Sequence, residues 1–427
     1  MSRRAAAARM GTAPLRLAGL LGAAVLAAAG CARQPAPGGL RQAPLVRIGL
    51  VVDRPSGSFS ANGQYRVLAA SGDILAVVDA GVAWRVEPAE PGQVRLIRPD
   101  RDEPLLAAAP VAVQPEDPNA LVLVGDQRYR GSLLVQRGST GVTIVNRVPL
   151  EWYVQSVTAV ELGFRAPSDR QAVMAQSVAA RTYAVRYLGR RQALGFDLYA
   201  TDADQVYPGV AGEKPEVNDA TQRTAGEILT YGGQPIEALF HSTCGHSTEA
   251  ASEVFRNDRG QPYLRAVSDR YGRGDHDYYC AISPHFRWRE EWDADRLTAI
   301  LAQTLPAATA AAGPVGRVTD VRVTQTTPTG RVKEMVVETT GGAFTVPAWQ
   351  VRTVLRPAPD RQLLSNQFQL HEERNGNDLT KLVAAGAGAG HGVGMCQWGA
   401  VGRSRAGQRY DFILATYYPG TQLQRVF

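Results

Sequence analysis

The chain lacks several features that would assign it to a common class of protein. None of its apolar runs reaches the roughly 20 residues that a membrane-spanning helix needs, and no fixed-period repeat is visible. No run of basic residues interleaved with aromatic residues is present, as a nucleic-acid-binding surface would require. The Gly-x-Ser-x-Gly motif of many serine hydrolases is also absent. These absences argue against an integral membrane protein, a repeat protein, a nucleic-acid-binding protein and a common serine hydrolase.

The first 30 residues have the pattern of a secretory signal peptide. Four arginines precede an uncharged apolar run that ends shortly before a cysteine. The stretch 28–31 resembles a bacterial lipobox, in which Cys31 becomes the lipid-modified first residue of the mature protein. An ordinary signal peptide cleaved nearby is the alternative. We therefore expect an exported, membrane-anchored lipoprotein facing the periplasm or cell wall, with 1–30 as signal peptide and the Pro- and Gly-rich residues 31–44 as a flexible tether.

The positive charge of the chain is concentrated in that signal segment. The formal net charge is +6, but residues 1–30 hold four arginines and no acidic residue, which leaves the mature chain near +2. A net charge of this size gives little electrostatic attraction to nucleic acid. The charge therefore gives no support to a nucleic-acid partner.

The remaining chain predicts an α+β fold with mainly antiparallel strands. Short apolar runs separated by Gly, Asp and Pro turns predict a small β-rich domain at 45–124. Strands continue into residues 125–427, where a helical pair is followed by alternating strands and loops, and the Ala-rich stretch 306–314 is expected to be a connector. We expect 125–427 to form the functional domain.

A carboxylate on an apolar helix face is the most informative feature of the chain. Apolar residues recur at spacings of four and three along the first predicted helix, at Leu150, Val154 and Val157. Glu161 falls four residues later on the same face, before a break at Gly163 and a capping-box pattern at Ser168 and Gln171. The helix dipole and partial burial both raise the pKa of Glu161, as a general acid at neutral pH requires. The alternative is an ordinary exposed residue at a helix end.

Two loops carry most of the other polar groups that could take part in chemistry. The first loop, at 240–249, comes after an apolar strand, and the second, at 388–399, contains alternating glycines that allow close approach of the backbone. Each contains histidine and cysteine. Taken alone, each loop is more typical of a structural turn than of a site.

Taken together, these segments resemble a known family. The motifs occur in the order VPLEWYV (148–154), AVE (159–161), AQSVAARTY (175–183), QVYPG (205–209), FHSTCG (240–245), PYLR (262–265), GHGVGM (390–395) and YYPG (417–420). This series resembles the SpoIID/LytB family, named after the stage II sporulation protein D. The resemblance implies envelope localisation, a SpoIID-like catalytic domain, and cleavage of peptidoglycan glycan strands by a lytic transglycosylase, with a preference for strands stripped of stem peptides. It also places the family's catalytic glutamate at Glu161.

The reaction implied by this resemblance needs one carboxyl group. Hydrolysis of a glycan usually employs two carboxylates, whereas a lytic transglycosylase uses its glutamate first as acid and then as base toward the 6-hydroxyl of the same muramic acid. The product is a 1,6-anhydro sugar. We expect Gln176, Arg181, Gln205, Tyr207, His241, His391 and Gln397 to surround the glycan. Arg181 has an alternative role as a buried structural arginine that pairs with a loop carboxylate.

The cysteines form an odd set once Cys31 is assigned to lipid. We expect a disulfide between Cys244 and Cys280, since an oxidising compartment favours pairing. Cys396, where relatives usually carry serine, then stays free and no cofactor is needed. The alternative is zinc, with a ligand set made of His241, Cys244, His246 and Cys280.

Two other function classes compete with the lytic transglycosylase. The first is a non-catalytic glycan-binding module that enhances a cell-wall amidase, for which the Glu161 carboxyl would be dispensable. The second is an amidase or peptidase with Cys396 as nucleophile and His391 as base. The expected partners are peptidoglycan glycan strands, the membrane through the lipid, and in the first alternative a cell-wall amidase.

Overall fold

The structure, a computed structural model, describes residues 42–164, 166–256, 260–309 and 313–427. The expected signal peptide at 1–30, the lipidation site Cys31 and most of the tether at 31–44 lie outside the described residues. Within the part of the chain that is described, no helix is both long and apolar enough to cross a membrane.

The first part of the chain forms two β-sheets around one core. The strands are β1 (Leu45–Arg54), β2 (Gly57–Ala61), β3 (Tyr65–Leu68), β4 (Ile74–Val78), β5 (Trp84–Pro88), β6 (Gln93–Ile97), β7 (Leu105–Ala108), β8 (Val111–Pro115), β9 (Val122–Val124), β10 (Gln127–Tyr129), β11 (Ser132–Arg137), β12 (Val142–Pro149) and β13 (Leu198–Tyr199). The sheet orders are β13-β1-β12-β11-β8-β3-β4 and β10-β9-β2-β5-β6-β7. Alternate side chains point into the core, as Val94 and Leu96 do on β6.

The expected domain boundary between residues 124 and 125 is not a boundary in the structure. β1 pairs with β12, with Val46 opposite Val148, and it also pairs in parallel with β13. Both residues are fully buried in the shared core. Residues 45–124 are β-rich, as predicted, but they form one unit with the strands β10 to β13. The alternating pattern predicts a strand but does not name its partner strand, which is why the boundary was misplaced.

β12 leads directly into the predicted helical pair. Helix α1 spans Leu150–Glu161, a short 3₁₀ turn lies at Pro167–Asp169, and α2 spans Arg170–Arg186. The predicted capping box does not form. Asp169 precedes α2 without a side-chain cap, and the Gln171 side chain instead accepts a hydrogen bond of 2.9 Å from the backbone N–H of Tyr410.

The middle of the chain adds short elements and then an inserted subdomain. The elements are α3 (Pro215–Arg223), β14 (Glu227–Tyr231), β15 (Gln234–Pro235), β16 (Phe240–His241), α4 (Ala251–Val254), β17 (Arg287–Asp293), α5 (Ala294–Thr309), β18 (Val318–Thr326), β19 (Val332–Thr339), β20 (Gly342–Pro347), α6 (Ala348–Val354), β21 (Phe368–Asn375) and β22 (Asp378–Ala387). From β17 to β22 the chain forms two three-stranded sheets, β17-β22-β21 and β18-β19-β20, with a core of their own. Helix α5 continues through Pro306, where a connector was predicted, because Leu305 is buried and the alanines after Pro306 favour helix.

The last elements return to the region of the helical pair. They are β23 (Met395–Cys396), α7 (Gln397–Arg405), α8 (Tyr410–Tyr417) and β24 (Gln422–Arg425). β23 pairs in parallel with β16, with His241 opposite Cys396, and β24 pairs with β14. This topology brings the two polar loops, which are about 150 residues apart in sequence, into direct contact. The fold is α+β with mainly antiparallel strands, as predicted.

Candidate active site

Glu161 lies at the end of α1 on a face that is otherwise apolar. The side chains of Leu150, Val154 and Val157 are fully buried on that face, whereas Glu161 is half-buried. Burial raises the pKa of Glu161, and hydrogen bonds from the Val206 backbone and the Gln397 side chain partly oppose this increase. The raised pKa agrees with the expectation from sequence. A carboxyl group of this kind retains a proton to higher pH than an exposed glutamate does.

Gln397 is the polar side chain that the structure brings to Glu161. Its Nε2 lies 3.5 Å from Glu161 Oε2, across 236 positions of sequence. Gln397 is the first residue of α7, and Cys396 caps that helix by accepting a hydrogen bond of 3.2 Å at Sγ from the backbone N–H of Gly399. The position of Gln397 therefore depends on the local geometry at Cys396.

The loop at 205–209 contributes its backbone to the site, while its polar side chains are buried in the protein interior. Gln205 and Tyr207 were both predicted to face the glycan, but both are buried. The Tyr153 hydroxyl donates to Gln205 Oε1 at 2.9 Å, and the Tyr207 hydroxyl donates to Asn146 Oδ1 at 2.9 Å. These bonds hold the loop so that the intervening Val206 backbone reaches Glu161. The two side chains thus act as supports, which corrects their expected contact with the glycan.

Arg181 is a structural arginine, the alternative that the sequence left open. Its side chain is fully buried on α2 and forms a bidentate pair with Glu151, with N–O distances of 2.8 and 2.7 Å. It also donates to the backbone carbonyls of Thr221 and Glu227. A guanidinium that is enclosed and paired in this way is not available to a sugar, so the expected glycan contact of Arg181 is wrong.

Gln176 is also fully buried on α2, which removes it from any surface that a glycan could contact. Among the described residues, neither its amide oxygen nor its amide nitrogen has a hydrogen-bond partner. The expected contact between Gln176 and the glycan is therefore not supported by its position. The spacing of apolar residues in the sequence predicted α2 correctly. It did not show that α2 is packed on several sides, which buries polar residues such as Gln176.

The two histidines of the polar loops lie side by side at the β16–β23 pair, His241 buried and His391 partly exposed. The ring centroids of His241 and His391 are 5.5 Å apart. His391 accepts a hydrogen bond at Nδ1 from the Val393 N–H and donates from Nε2 to the Phe240 carbonyl. Burial and the neighbouring His241 lower the pKa of His391 to about 3. His391 is therefore neutral and its nitrogens are engaged by the backbone, which gives it a supporting role rather than the expected contact with the glycan.

His241 is oriented by the same loop. Its Nδ1 donates to the Val393 carbonyl at 3.1 Å, and its side chain is almost fully buried. Within the described part of the chain, its Nε2 has no hydrogen-bond partner. His241 therefore belongs to the interior of the β16–β23 pair and not to an exposed sugar-binding surface, contrary to the sequence-based expectation.

The expected disulfide between Cys244 and Cys280 is not formed. Their sulfur atoms are 3.5 Å apart, compared with about 2.05 Å in a disulfide, and both are free thiols, as is Cys396. Cys396 and Asp269 share the same enclosed space. Sequence spacing suggested the pair, but it could not show that the fold brings the third thiol against it.

The alternative zinc ligands are also rearranged by the fold. The structure keeps Cys244 with Cys280 but groups them with Asp269 and Cys396. His246 instead contacts the side chains of Ser247 and Gln367. The set of two histidines and two cysteines inferred from sequence is therefore not the set that the structure assembles.

The alternative of a Cys396/His391 amidase or peptidase is not supported. Cys396 is fully buried, so a substrate cannot reach its sulfur. Both nitrogens of His391 are held by the backbone, which leaves neither free to accept a proton from the thiol.

Sequence reasoning missed three parts of this region. They are the Val206 backbone, the Tyr153 hydroxyl and the Asp269 carboxylate. Tyr153 lies within the motif at 148–154 and Val206 within the motif at 205–209, so the motifs located both segments. A backbone hydrogen bond leaves no residue-type signal, however, and Asp269 lies in a loop that no motif covers.

Two protein-family models match parts of the chain. The family model for SpoIID, stage II sporulation protein, matches residues 138–231, which include Glu161 and the 205–209 loop. A model for a domain of unknown function, DUF8618, matches residues 273–394, which include the inserted subdomain.

Similar relatives come from two bacterial genera. The stage II sporulation protein D of Bacillus subtilis is 30% identical over 294 residues, covering 65% of this chain and 75% of that protein. An uncharacterized protein of Brachyspira hyodysenteriae is 31% identical over 296 residues, covering 69% of this chain and 72% of that protein. The amidase enhancer of Bacillus subtilis is 29% identical over 277 residues, covering 59% of this chain but 38% of that protein.

The fold, the half-buried glutamate and these matches define a protein with a function related to the bacterial cell wall. The chain belongs to the SpoIID/LytB family, named after the stage II sporulation protein D.

Proposed function

We propose that the protein is a peptidoglycan lytic transglycosylase in which Glu161 is the catalytic residue. The observation that carries the proposal is a carboxyl group with a raised pKa at the end of an apolar helix face, within reach of solvent. An acid of this kind can donate a proton near neutral pH. The membership of the SpoIID/LytB family supports the same residue, because the range that the SpoIID family model matches includes Glu161.

The reaction uses Glu161 twice. Its proton moves to the oxygen that links muramic acid to the next sugar as the bond from that oxygen to C1 breaks. The Glu161 carboxylate then accepts the proton of the 6-hydroxyl while that oxygen bonds to C1, which gives a 1,6-anhydro-muramic acid end. Glu161 returns to its protonated form, and no water is consumed.

Two hydrogen bonds support the carboxylate between these steps. Gln397 and the Val206 backbone both favour the charged form of Glu161, while burial favours the neutral form. Burial is the larger effect and raises the pKa of Glu161, which favours the protonated form that the first step needs. The two donors stabilise the charge that develops on Glu161 when it gives up its proton. The two effects together suit a group that must act first as acid and then as base.

The proposed substrate is peptidoglycan glycan, with preference for strands stripped of stem peptides. The proposed location is the cell envelope, where Cys31 anchors the protein through lipid.

The proton-donor geometry at Glu161 is the argument for an enzyme. The similarity to an amidase enhancer supports a second candidate, a glycan-binding enhancer of a cell-wall amidase.

Product analysis separates the two candidates. Purified protein is incubated with intact and with amidase-treated peptidoglycan, and the products are identified by mass spectrometry. A lytic transglycosylase releases sugar ends that are 1,6-anhydro. If the protein releases no anhydro products from either substrate but increases the activity of an added amidase, the second candidate replaces the first.

A further inference from the structure

Three thiols and one carboxylate meet in a closed space behind the proposed active site. The donor atoms of Cys244, Asp269, Cys280 and Cys396 all lie within 4.8 Å of one another, and all four side chains are fully buried. Cys244 Sγ is 3.5 Å from Cys280 Sγ and 3.7 Å from Asp269 Oδ2. With zinc bonds of about 2.3 Å to sulfur and 2.0–2.2 Å to oxygen, tetrahedral geometry requires ligand atoms roughly 3.5–3.8 Å apart. The cluster therefore needs little rearrangement to enclose an ion of that size.

We propose that Cys244, Asp269, Cys280 and Cys396 bind one structural Zn²⁺ ion. Thiolates are the ligands that select zinc over magnesium or calcium, and four ligands complete its preferred tetrahedral coordination. Binding converts the three thiols to thiolates and releases their protons to solvent. Because none of the four groups is exposed, no position is open to water or substrate, and the ion has no role in glycan cleavage.

The groups around the cluster have the arrangement expected of a second layer of a metal site. Cys396 Sγ accepts hydrogen bonds of 3.2 Å from the backbone N–H groups of Cys244 and Gly399. Asp269 Oδ1 accepts from the Tyr417 hydroxyl at 2.7 Å and from Arg403 at 3.2 Å, while Oδ2 accepts from the Cys280 backbone N–H at 3.0 Å and faces the thiols. Such contacts orient ligands and stabilise their charge.

A second observation is a buried arginine with too few acceptors. Arg331 is fully buried and donates from Nη2 to the Cys244 carbonyl at 2.9 Å and to the Ser247 carbonyl at 3.3 Å, while its Nε and Nη1 have no partner among the described residues. A buried cation is costly without nearby negative charge. Three thiolates and a carboxylate around a divalent ion leave net negative charge, which explains a guanidinium at this position better than neutral thiols do.

The ion would fix segments that are distant in sequence. It would join the 240–249 loop and the turn at Tyr279–Ile282 to the start of α7, which carries Gln397 toward Glu161. The inference is independent of the chemistry proposed for Glu161, because it concerns how the site is held together.

The first test uses the full-length wild-type chain, purified without chelators or added zinc. We expect elemental analysis to find one zinc per chain, and thiol titration to find the three thiols unreactive until the metal is removed. Replacement of zinc by Co²⁺ should give the charge-transfer absorption of cobalt bound to thiolates. A Cys244–Cys280 disulfide in non-reducing peptide maps, or a folded metal-free protein whose thermal unfolding does not change with added zinc, would overturn the proposal.

Variants test the ligand set. Asp269→Asn and Cys396→Ser should lose the bound zinc. Tyr417→Phe removes a hydrogen bond to the ligand Asp269 and should weaken zinc binding by about 10- to 100-fold. Tyr418→Phe is the matched control, because that neighbouring, equally buried hydroxyl donates to the Leu239 carbonyl instead, and its zinc affinity should stay unchanged.

Equal zinc affinity of the Tyr417→Phe and Tyr418→Phe proteins would contradict the proposed ligand set. The variant Glu161→Gln should retain zinc in full. An inactive wild-type protein that still binds zinc would reject the proposed function and leave the metal site standing. An active wild-type protein without zinc would reject the metal site and leave the proposed function standing.

Discussion

Replacing Arg181 by methionine tests whether this arginine supports the fold or contacts the glycan. The side chain is fully buried and its guanidinium makes a bidentate pair with Glu151 and donates to two backbone carbonyls. Methionine fills much of the space but removes the guanidinium donors from those carbonyls and from Glu151, which keeps only the backbone N–H of Gly226 at 3.1 Å. Breaking one side of a buried ion pair costs about 3–5 kcal/mol, and we expect a loss of this size in the free energy of unfolding.

Equilibrium unfolding in urea, monitored by circular dichroism, measures this loss. Arg223→Met is the control, because Arg223 forms an exposed ion pair with Asp219 on α3 and its loss should change stability little. At a temperature where Arg181→Met remains folded, its binding to peptidoglycan should match that of the wild type. A stable Arg181→Met protein with weakened glycan binding would refute this reasoning and restore the role expected from sequence.

Three further predictions concern the active site and the anchor. In Gln397→Leu, the loss of a hydrogen bond that favours the carboxylate raises the pKa of Glu161 further, so the fall in kcat/KM on the alkaline side should move to higher pH in a pH–rate profile. Because the pKa of Glu161 is raised on folding, its contribution to stability falls as pH rises from the unfolded pKa through the folded pKa. Glu161→Gln should therefore have a higher free energy of unfolding than wild type at pH 7, and this difference should shrink at pH values below the unfolded pKa of Glu161. A difference between variant and wild type that is the same at both pH values would contradict the burial argument. Cys31→Ser should either remain as uncleaved precursor or, once processed, leave the membrane fraction, and a processed Cys31→Ser protein that still sediments with membranes freed of peptidoglycan would exclude lipid as the anchor.

The sequence predicted the central helix and the environment of Glu161 because both depend on local periodicity. Spacings of four and three placed Glu161 on the apolar face of α1, and its raised pKa results from that position. The capping box at Ser168 and Gln171 was wrong because a tertiary contact with Tyr410 takes the Gln171 side chain. Local sequence patterns therefore located α1 but did not predict the hydrogen bonds in the first turn of α2.

The parts that could not be predicted depend on which segments meet in space. The pairing of β16 with β23 joins residues that are about 150 positions apart, and it places Cys396 against Cys244. Most of the polar side chains expected around the glycan are buried supports, as Tyr207 illustrates. A motif indicates that a residue type is required at a position. It does not show whether that residue contacts the ligand or instead supports a neighbour that does.

The central claim is that Glu161 donates the proton that cleaves the glycan, and the measurement that tests it most directly is the yield of anhydro products from Glu161→Gln. The amide matches the carboxyl in shape but cannot deliver a proton, so the variant should bind peptidoglycan and release 1,6-anhydro products about 10²–10⁴-fold more slowly than wild type. Glu216→Gln, an exposed carboxyl on α3, is the control and should release them at the wild-type rate. Undiminished release of 1,6-anhydro products by a folded Glu161→Gln protein would contradict the account.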